Sequence, residues 1–257
     1  MISNFILVYF IKNKNNYYKN IELPKWYGIK IDHLKEVSKE KYWNKLLLLM
    51  QKQIRILYPK TKIHILTNKK ISLQDENLTF HYFKEHDDLL TKYKVLNLID
   101  EPAMYLDLDI LLNKKFSENH LDTEFPFNLF RRYKGNLPAI QKIPGLSHIK
   151  NAYNSGIIWV KHPIQNIEFE LYSINKKYFS DQSFLSEYKV LSGNDEHAIS
   201  TYIANNNFTM KTFEEVSKPR DEISNINQLK NYQSVHYMGI DKVKLNKEFF
   251  IINKKLF

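Results

Sequence analysis

Strand-length apolar segments alternate with helical segments over the first 112 residues, and this alternation limits the fold more than any other feature of the sequence. Leu46, Met50 and Ile54, for example, recur every four residues before Pro59, as expected for a helix with one buried face. The alternation predicts an α/β fold with a mainly parallel central sheet flanked by helices, in which ligands bind at the carboxyl ends of the strands. The strand-like segments lie at 5–11, 61–68, 78–83 and 103–112, and the helical ones lie at 38–59 and 87–99.

The second half of the sequence has a less regular pattern. Strands are predicted at 125–130 and 155–160, and helices at 166–191 and 195–205. The sequence contains no glycine- or serine-rich linker, no internal repeat and no low-complexity segment. We therefore expect residues 1–257 to form a single domain.

The absence of cysteine excludes disulfide bonds, thiolate metal sites and cysteine nucleophiles. The apolar run near the N-terminus has about seven residues, which is shorter than a typical signal-peptide core and far shorter than the roughly 20 residues that span a bilayer. The leucine-rich stretch that follows is interrupted by charged residues. These features predict a cytoplasmic protein that is soluble or attached to a membrane only peripherally.

The formal net charge of +10 permits several kinds of anionic partner. Nucleic acid, an anionic membrane surface and phosphate-bearing small ligands would each be attracted to such a protein. An AT-rich genome, which favours lysine, asparagine and isoleucine codons, accounts for the composition equally well. Charge alone therefore does not distinguish between these functions.

Two aspartates interrupt the apolar segment "AMYLDLDILL" at 103–112. If the strand is continuous, Asp107 and Asp109 point to the same face, roughly 6.5–7 Å apart, while Leu106 and Leu108 point into the core. Two carboxylates at this spacing repel each other and lose hydration on burial, so a cation is expected between them. Mg²⁺ or Mn²⁺ fits best, because these ions bind one or two carboxylates together with ligand phosphates. The alternative is that the strand has reached solvent and the aspartates lie in a turn.

The segment "YLDLDILL" resembles the metal-binding D-x-D hairpin of GT-A-fold glycosyltransferases, most closely the glycogenin-like and bacterial galactosyltransferase members of family 8. In that family the two aspartates hold Mn²⁺, which binds the diphosphate of a nucleotide sugar. The resemblance implies that Asp107 and Asp109 are ligands of Mn²⁺ or Mg²⁺ and that Asp107 also lies at the bound nucleotide. It implies a Rossmann-like GT-A domain with a nucleotide-binding half at 1–112 and an acceptor and donor-sugar half at 113–257.

The resemblance also implies nucleotide-binding residues before the D-x-D segment. "TKYKVLNLI" supplies the basic residue that the family carries on the helix preceding the metal strand, which assigns donor binding to Lys92. Without the neighbouring motif, Lys92 would be interpreted as an ordinary solvated lysine. The nucleobase pocket is expected at the end of the first strand, near Tyr9 and Phe10.

Downstream, "AYNSGIIWV" is similar to the family segment whose asparagine and glycine line the donor sugar, which implies this role for Asn154 and Gly156. Only six glycines occur in the chain, and Gly156 at the start of an apolar strand indicates close approach of the backbone to a ligand. The alternative is an ordinary turn at the entry to the strand.

The segment "SGNDEHAISTYI" resembles the family's G-D-Q segment, which opens a short helix. Asp195 then matches the aspartate near the reacting sugar, and Glu196 stands where the family usually has glutamine. Acidic residues in the first turn of a helix are also common as part of helix capping. Asp181–Gln182 in "SDQSFLSEY" is a competing match, but Asp195 is followed by a short helix and a buried segment, as in the family, and is preferred.

The segment "SVHYMGIDKVK" is similar to the family's H-x-x-G-x-x-K segment. The similarity implies that His236 is the third metal ligand and that Gly239 and Lys242 bind the diphosphate. The chain departs from the family in having Val243 and Lys244 where proline and tryptophan are usual. A lone histidine in an apolar segment is more often a core residue, but the spacing of all three residues after the D-x-D segment favours the metal site.

These segments follow the family's order over residues 87–242. They imply a metal-dependent glycosyltransferase that moves a sugar, expected from a UDP-sugar, to a glycan, lipid-linked or protein acceptor with retention of anomeric configuration. The implied catalytic residues are Asn154, Asp195 and Glu196, and a carboxylate at the last position leaves an inverting mechanism open. No nucleic acid is expected as a partner.

Two basic segments lie outside these motifs. "NLFRRYKGNLPAIQKIPG" would border the acceptor site in this fold, so that Arg131 and Arg132 meet either an anionic acceptor or only solvent. The C-terminal "KVKLNKEFFIINKKLF" mixes lysines with aromatic residues such as Phe249. It either contacts a membrane surface or packs back onto the domain.

Two rival functions use the same residues. A metal-dependent nuclease or phosphotransferase would bind its ion through Asp107 and Asp109 and nucleic acid through lysines, but it gives no reason for the histidine segment. A non-catalytic sugar- or nucleotide-binding relative of the same fold is the other rival. The intact aspartates and His236 disfavour it.

Overall fold

The computed structural model describes residues 2–9, 40–73, 75–83, 89–132, 137–179, 195–237, 241, 244–245 and 247–249. The chain folds into two compact units, each of which draws on separate parts of the sequence. The first unit consists of Met1–Ser3, Asp88–Tyr105 and Ser117–Glu214, and the second consists of Asn4–Asp87, Leu106–Phe116 and Glu215–Phe257. The organisation as a single functional domain stays a prediction.

Strands and helices are interspersed along the described chain. The strands are β1 (Asn4–Tyr9), β2 (Lys62–Thr67), β3 (Leu78–Tyr82), β4 (Ala103–Leu106), β5 (Ile110–Leu112), β6 (Phe127–Arg132), β7 (Tyr153–Val160), β8 (Lys218–Pro219) and β9 (Ser234–His236). The α-helices are α1 (Glu40–Leu57), α2 (Glu118–Leu121), α3 (Leu137–Lys142), α4 (Ile167–Tyr178) and α5 (Asp195–Asn205), and 3₁₀ helices span Leu89–Leu96, Arg220–Glu222 and Ile226–Asn231.

In the second unit, three strands of the central sheet run parallel in the order β3-β2-β1. Ile65, in the middle strand, lies opposite Leu7 on one side and Phe80 on the other. Phe5, Ile6 and Leu7 are fully buried. A strand that is apolar at successive positions is typical of a parallel sheet covered on both faces, because both faces then exclude water.

In the first unit, the other three strands of the central sheet run in the order β4-β7-β6. β6 and β7 are antiparallel, with an irregularity in register between Leu129 and Arg131, and all eight residues of β7 are buried. The six strands and the helices confirm the predicted α/β class with a mainly parallel central sheet.

A smaller sheet in the second unit has the order β5-β9-β8. β5 and β9 are antiparallel, and Ile110 lies opposite His236. At the end of β5, the side chain of Gln53 in α1 binds the backbone of Leu112 as a paired strand would. Its Nε2 donates to the Leu112 carbonyl (3.2 Å), and its Oε1 accepts from the Leu112 N–H (3.4 Å). The short strand β5 is therefore held by β9 and by α1.

The prediction of one continuous strand over 103–112 is wrong. β4 ends at Leu106 and β5 begins at Ile110, whose N–H donates to the carbonyl of Asp107 (3.3 Å) and closes a turn. The strand is interrupted because its two halves belong to different sheets. The aspartates therefore lie in a turn, as in the alternative interpretation. The turn is only partly exposed, since Asp107 is half-buried and only 4% of Asp109 is exposed.

Two of the predicted helices have a different type or different bounds in the structure. The segment predicted as a helix over 87–99 forms a 3₁₀ helix over Leu89–Leu96, and the helix predicted over 166–191 is described as α4, while residues 180–194 lie outside the described residues. None of the described helices combines the length and the apolar composition needed to cross a membrane.

A bidentate ion pair fastens α1 to the loop before β3. Arg55 Nε lies 2.5 Å from Asp75 Oδ2, and Arg55 Nη2 lies 3.0 Å from Asp75 Oδ1. Gln51 Nε2 donates to the same carboxylate (3.0 Å). The backbone N–H of Asn77 adds a further hydrogen bond. The hydrogen bond from Arg55 is the largest of the influences that hold the pKa of Asp75 at about 2, below its usual value.

We expect Asp75→Asn to remove a pH-dependent contribution to stability of about 1 to 2 kcal/mol. Because the pKa of Asp75 is lower in the folded protein than in the unfolded chain, the contribution is complete above about pH 4 and is lost as the pH falls toward 2. Urea unfolding of wild type and variant at several pH values measures it. A free-energy difference between the two proteins that does not shrink on acidification would contradict this role of the ion pair.

Candidate functional site

The three predicted metal ligands come together in the second unit. Asp107 and Asp109 lie in the turn before β5, and His236 is the last residue of β9. The pairing of Ile110 with His236 brings the imidazole to this turn, and the backbone N–H of Tyr237 donates to the carbonyl of Asp109 (2.9 Å). Residues that are distant in sequence thus become neighbours through main-chain hydrogen bonds.

The ligand atoms of the cluster are close enough to share one ion. One oxygen from Asp107, one from Asp109 and one nitrogen of His236 lie within 4.8 Å of one another. His236 Nε2 is 3.3 Å from Asp109 Oδ1. Asp109 and His236 are each 4% exposed, whereas Asp107 is half-buried. The cluster is therefore open on the side of Asp107.

This donor set fits a divalent cation. Two ligands on opposite sides of Mg²⁺ lie about 4.2 Å apart, so the observed separations need little adjustment on binding. Carboxylate oxygens suit Mg²⁺ and Mn²⁺, and one imidazole is compatible with Mn²⁺. A carboxylate buried as deeply as Asp109 also requires a positive partner, because burial penalises the charged form.

Behind the cluster lies a buried polar network that sequence reasoning missed. The Tyr237 hydroxyl donates to Glu248 Oε2 (2.7 Å), and Arg220 donates through Nε to the same oxygen (2.7 Å) and through Nη2 to Oε1 (2.8 Å). Burial alone would raise the pKa of Glu248, but the hydrogen bonds from Arg220 and Tyr237 outweigh it and hold that pKa below its usual value. Burial raises the pKa of Tyr237, and Glu248 raises it further.

Only a weak signal in the sequence points to this network. Glu248 is a charged residue beside the aromatic pair in "KEFFI", and Arg220 is 28 positions away from it. A charge among apolar residues indicates burial with a partner, but it does not identify the partner.

In the first unit, two of the predicted catalytic residues are in direct contact. Asn154 Nδ2 donates to Glu196 Oε1 (2.7 Å), and Asn154 Oδ1 accepts from the N–H of Gly156 (3.1 Å). Asn154 is 4% exposed in β7, and Glu196 is half-buried in the first turn of α5. Both ends of the Asn154 amide are therefore engaged, and they fix one oxygen of the Glu196 carboxylate. Asp195 begins α5, but its side chain is not among those described.

Other residues predicted to bind the nucleotide are described only in part. Lys92 lies half-buried in the 3₁₀ helix of the first unit, with its Nζ 5.7 Å from the centre of the Tyr93 ring. Tyr9 ends β1 in the second unit and is buried. Its hydroxyl donates to Asn44 of α1, and burial raises its pKa to about 12. Phe10, Gly239 and Lys242 lie outside the described residues, and so do Asp181 and Gln182.

The two arginines predicted to border the acceptor are adjacent on β6. Arg131 lies opposite Asn154 and Arg132 lies opposite Tyr153 across the β6–β7 pair. Because successive side chains of a strand point to opposite faces, the two guanidinium groups are not placed to bind one anionic group together. Arg131 is half-buried and Arg132 is exposed.

Comparison with known proteins supports the fold. The sequence matches no family model and no curated protein. A solved structure of the galactosyltransferase LgtC in complex with donor and acceptor sugar analogues is similar at a TM-score of 0.53 and 12% identity, over 92% of this chain and 87% of that one. The chain has the GT-A fold. This similarity confirms the fold that the D-x-D segment predicted. At 12% identity it establishes the fold and not the activity.

Two further structures agree with the GT-A assignment. An active-site mutant of LgtC matches at a TM-score of 0.52 and 12% identity, over 92% of this chain and 87% of that one. The apo-form glycosyltransferase GlyE of Streptococcus pneumoniae TIGR4 matches at 0.55 and 12% identity, over 93% of this chain. This GT-A chain spans 55% of the GlyE chain, so about half of GlyE has no counterpart in it.

We expect Asp109→Asn and His236→Gln each to weaken Mn²⁺ binding by the purified protein more than about 100-fold, because loss of a direct ligand exceeds the 10- to 100-fold effect of outer partners. Isothermal titration calorimetry measures the affinity. His162→Gln, which changes an exposed histidine of the other unit, is the matched control and should leave binding unchanged. Tight Mn²⁺ binding by the His236 variant would contradict its role as a ligand.

Proposed function

We propose that the chain is a metal-dependent glycosyltransferase that moves a sugar from a nucleotide diphosphate sugar to an acceptor hydroxyl. The observation that carries the proposal is the cluster of Asp107, Asp109 and His236 on a GT-A fold. The donor is expected to be a UDP-sugar, the metal Mn²⁺ or Mg²⁺, and the acceptor a glycan, a lipid-linked sugar or a protein.

In this reaction the bond between the anomeric carbon and the diphosphate oxygen breaks, and a bond from the anomeric carbon to the acceptor oxygen forms. The acceptor hydroxyl loses its proton, and the nucleoside diphosphate leaves with an additional negative charge. A bound divalent cation would supply Lewis-acid stabilisation of that charge. Asp107, Asp109 and His236 would hold the cation, and Lys242 would add positive charge at the diphosphate. Lys92 would neutralise or orient the carboxylates on the donor side.

The residues of the first unit would serve the sugar. Glu196, with one carboxylate oxygen held by Asn154, would hydrogen-bond a sugar hydroxyl or accept a proton. Asp195, at the start of the same helix, would stabilise positive charge at the anomeric centre. Gly156 would allow the backbone to approach the sugar closely.

Retention of configuration is carried over from the resemblance to family 8. In a retaining transfer the leaving diphosphate and the incoming hydroxyl occupy the same face of the sugar. An inverting transfer would instead require a carboxylate base on the opposite face, and Glu196 is the residue that could serve.

The C-terminal segment is proposed to pack against the protein. Leu245 and Phe249 are 2% and 1% exposed, which favours packing over membrane contact for these two residues. Residues 250–257 lie outside the described residues. A cytoplasmic location stays a prediction.

Incubation with a panel of nucleotide sugars tests the proposal. We expect release of nucleoside diphosphate from one donor in the presence of Mn²⁺ and loss of release in EDTA, because the leaving charge is then no longer stabilised. Asp109→Asn should lower the rate by at least about 100-fold. Metal-dependent cleavage of DNA or RNA without turnover of any donor would instead favour the nuclease alternative.

Variants at the start of α5 separate the two stereochemical courses. In a retaining enzyme, Asp195→Asn should lower kcat by about 100-fold or more, and Glu196→Gln should be tolerated better, because the family usually has glutamine there. The anomeric configuration of the product, read from its proton NMR coupling constants, gives the course directly. An inverted product together with a severe loss in Glu196→Gln would assign the base to Glu196 and overturn retention.

A further inference from the structure

Tyr237 connects the metal ligands to a buried carboxylate. It follows His236 directly, its backbone N–H donates to the carbonyl of Asp109 (2.9 Å), and its hydroxyl donates to Glu248 Oε2 (2.7 Å). Its side chain has no exposed surface. One residue thus touches both the aspartate turn and the C-terminal segment.

A second connection to Glu248 comes from the strand on the other side of His236. Pro219 of β8 lies opposite His236, and the next residue, Arg220, forms the bidentate ion pair with Glu248. Arg220 Nη1 also donates to the carbonyl of Ile223 (2.6 Å), which fixes the guanidinium. The Glu248 carboxylate is therefore contacted by the residue after the histidine ligand and by the residue after its strand partner.

These contacts lie at the end of the short strand β9. β9 has three residues, and His236 is the last of them. Metal coordination tolerates errors in ligand distance of only about 0.2 Å. The ladders to β5 and to the two-residue β8 both stop at His236, so side-chain contacts beyond this residue help to fix its position. Glu248 is 7% exposed, so its contacts are little screened by solvent.

Stability alone does not account for the network. A buried ion pair has a desolvation cost that often cancels its attraction, and an apolar set of the same shape is frequently as stable. Such pairs are informative chiefly where they fix one geometry. The Glu248 carboxylate is bound by Tyr237, which follows His236 in sequence, and by Arg220, which follows the sheet partner of His236. These are positions at which geometry matters for metal binding.

We propose that Glu248 is a positioning residue for the metal centre: bound by Arg220 and Tyr237, it fixes the ends of β8 and β9 and thereby holds the His236 imidazole at Asp107 and Asp109. The inference rests on the proposed metal site. It makes the C-terminal segment part of the metal centre, although none of its described residues is a ligand.

Reciprocal coupling follows from this role. If the packing of Glu248 raises metal affinity, metal binding must stabilise that packing by the same free energy. Mn²⁺ should therefore slow hydrogen exchange of the backbone amides at 244–249 in the wild-type protein, and it should do so less in Tyr237→Phe.

The test compares Mn²⁺ affinity in the purified full chain and three variants. Tyr237→Phe removes one hydroxyl, and Glu248→Gln removes the charge that Arg220 contacts. Asp75→Asn is the matched control, because Arg55–Asp75 is also a bidentate, largely buried pair of the same unit. Its contacts within the described residues are with Gln51, Thr61 and Asn77, which lie outside the cluster. Calorimetric titration gives the Kd, and thermal unfolding without metal gives the Tm of each protein.

We expect Glu248→Gln to weaken Mn²⁺ binding about 10- to 100-fold and Tyr237→Phe about threefold or more, within the range for outer partners of a metal site. The control should lower the Tm comparably to Glu248→Gln but keep the wild-type Kd. Wild-type affinity in both test variants would overturn the inference and leave the metal site standing. Equal weakening in the control would overturn it as well, since the effect would then follow stability.

Two outcomes separate this inference from the proposed function. If Glu248→Gln does not fold, Tyr237→Phe decides, because loss of one hydroxyl leaves the ion pair and the backbone hydrogen bond in place. If the wild-type protein binds no Mn²⁺, the metal site and the proposed function fail, and the inference fails with them. Binding by the wild type with unchanged affinity in Tyr237→Phe and Glu248→Gln refutes only the role of Glu248.

Discussion

The pairing of β5 with β9 is the constraint on which the candidate metal site depends. Both strands have three residues, yet their pairing places His236 opposite Ile110 and its imidazole 3.3 Å from Asp109. The carboxylate of Asp109 is buried, and a buried charge without a positive partner would destabilise this sheet. Main-chain pairing thus brings the imidazole to the buried carboxylate, and a cation bound by both side chains would supply the positive partner that the carboxylate requires.

Two ion pairs of similar chemistry serve different parts of the second unit. Arg55–Asp75 joins a helix to a loop, and its contribution is to stability. Arg220–Glu248 joins the residue after β8 to the C-terminal segment, and the hydroxyl of Tyr237, the residue after the candidate ligand His236, donates to the same carboxylate. The difference lies in location, because the same electrostatic attraction has a functional consequence only where it fixes the position of a ligand. The residues that a buried ion pair contacts therefore indicate its role better than its burial does.

The GT-A fold leaves the chemistry to particular side chains, since one fold supports many reactions. In the first unit, the resemblance to family 8 aligns Glu196 with a position that is usually glutamine in that family, and Asn154 donates to one of its oxygens. An amide would donate and accept hydrogen bonds there, whereas the Glu196 carboxylate accepts them and can also take a proton. The stereochemical course of the proposed transfer can therefore be tested at one residue, Glu196.

The sequence by itself determined the α/β class and the main strand segments of the first half, because the hydrophobic period is a local property of the chain. Its resemblance to family 8 implied the three residues that the structure brings together as a candidate metal cluster. Sequence reasoning misplaced the aspartates on one continuous strand and missed Arg220, Tyr237 and Glu248 as a network. Those features depend on which segments pair across long separations in the chain. Only the tertiary structure decided them, because pairing in two different sheets breaks the strand at Asp107 and because a buried charge finds its partner in space and not in sequence.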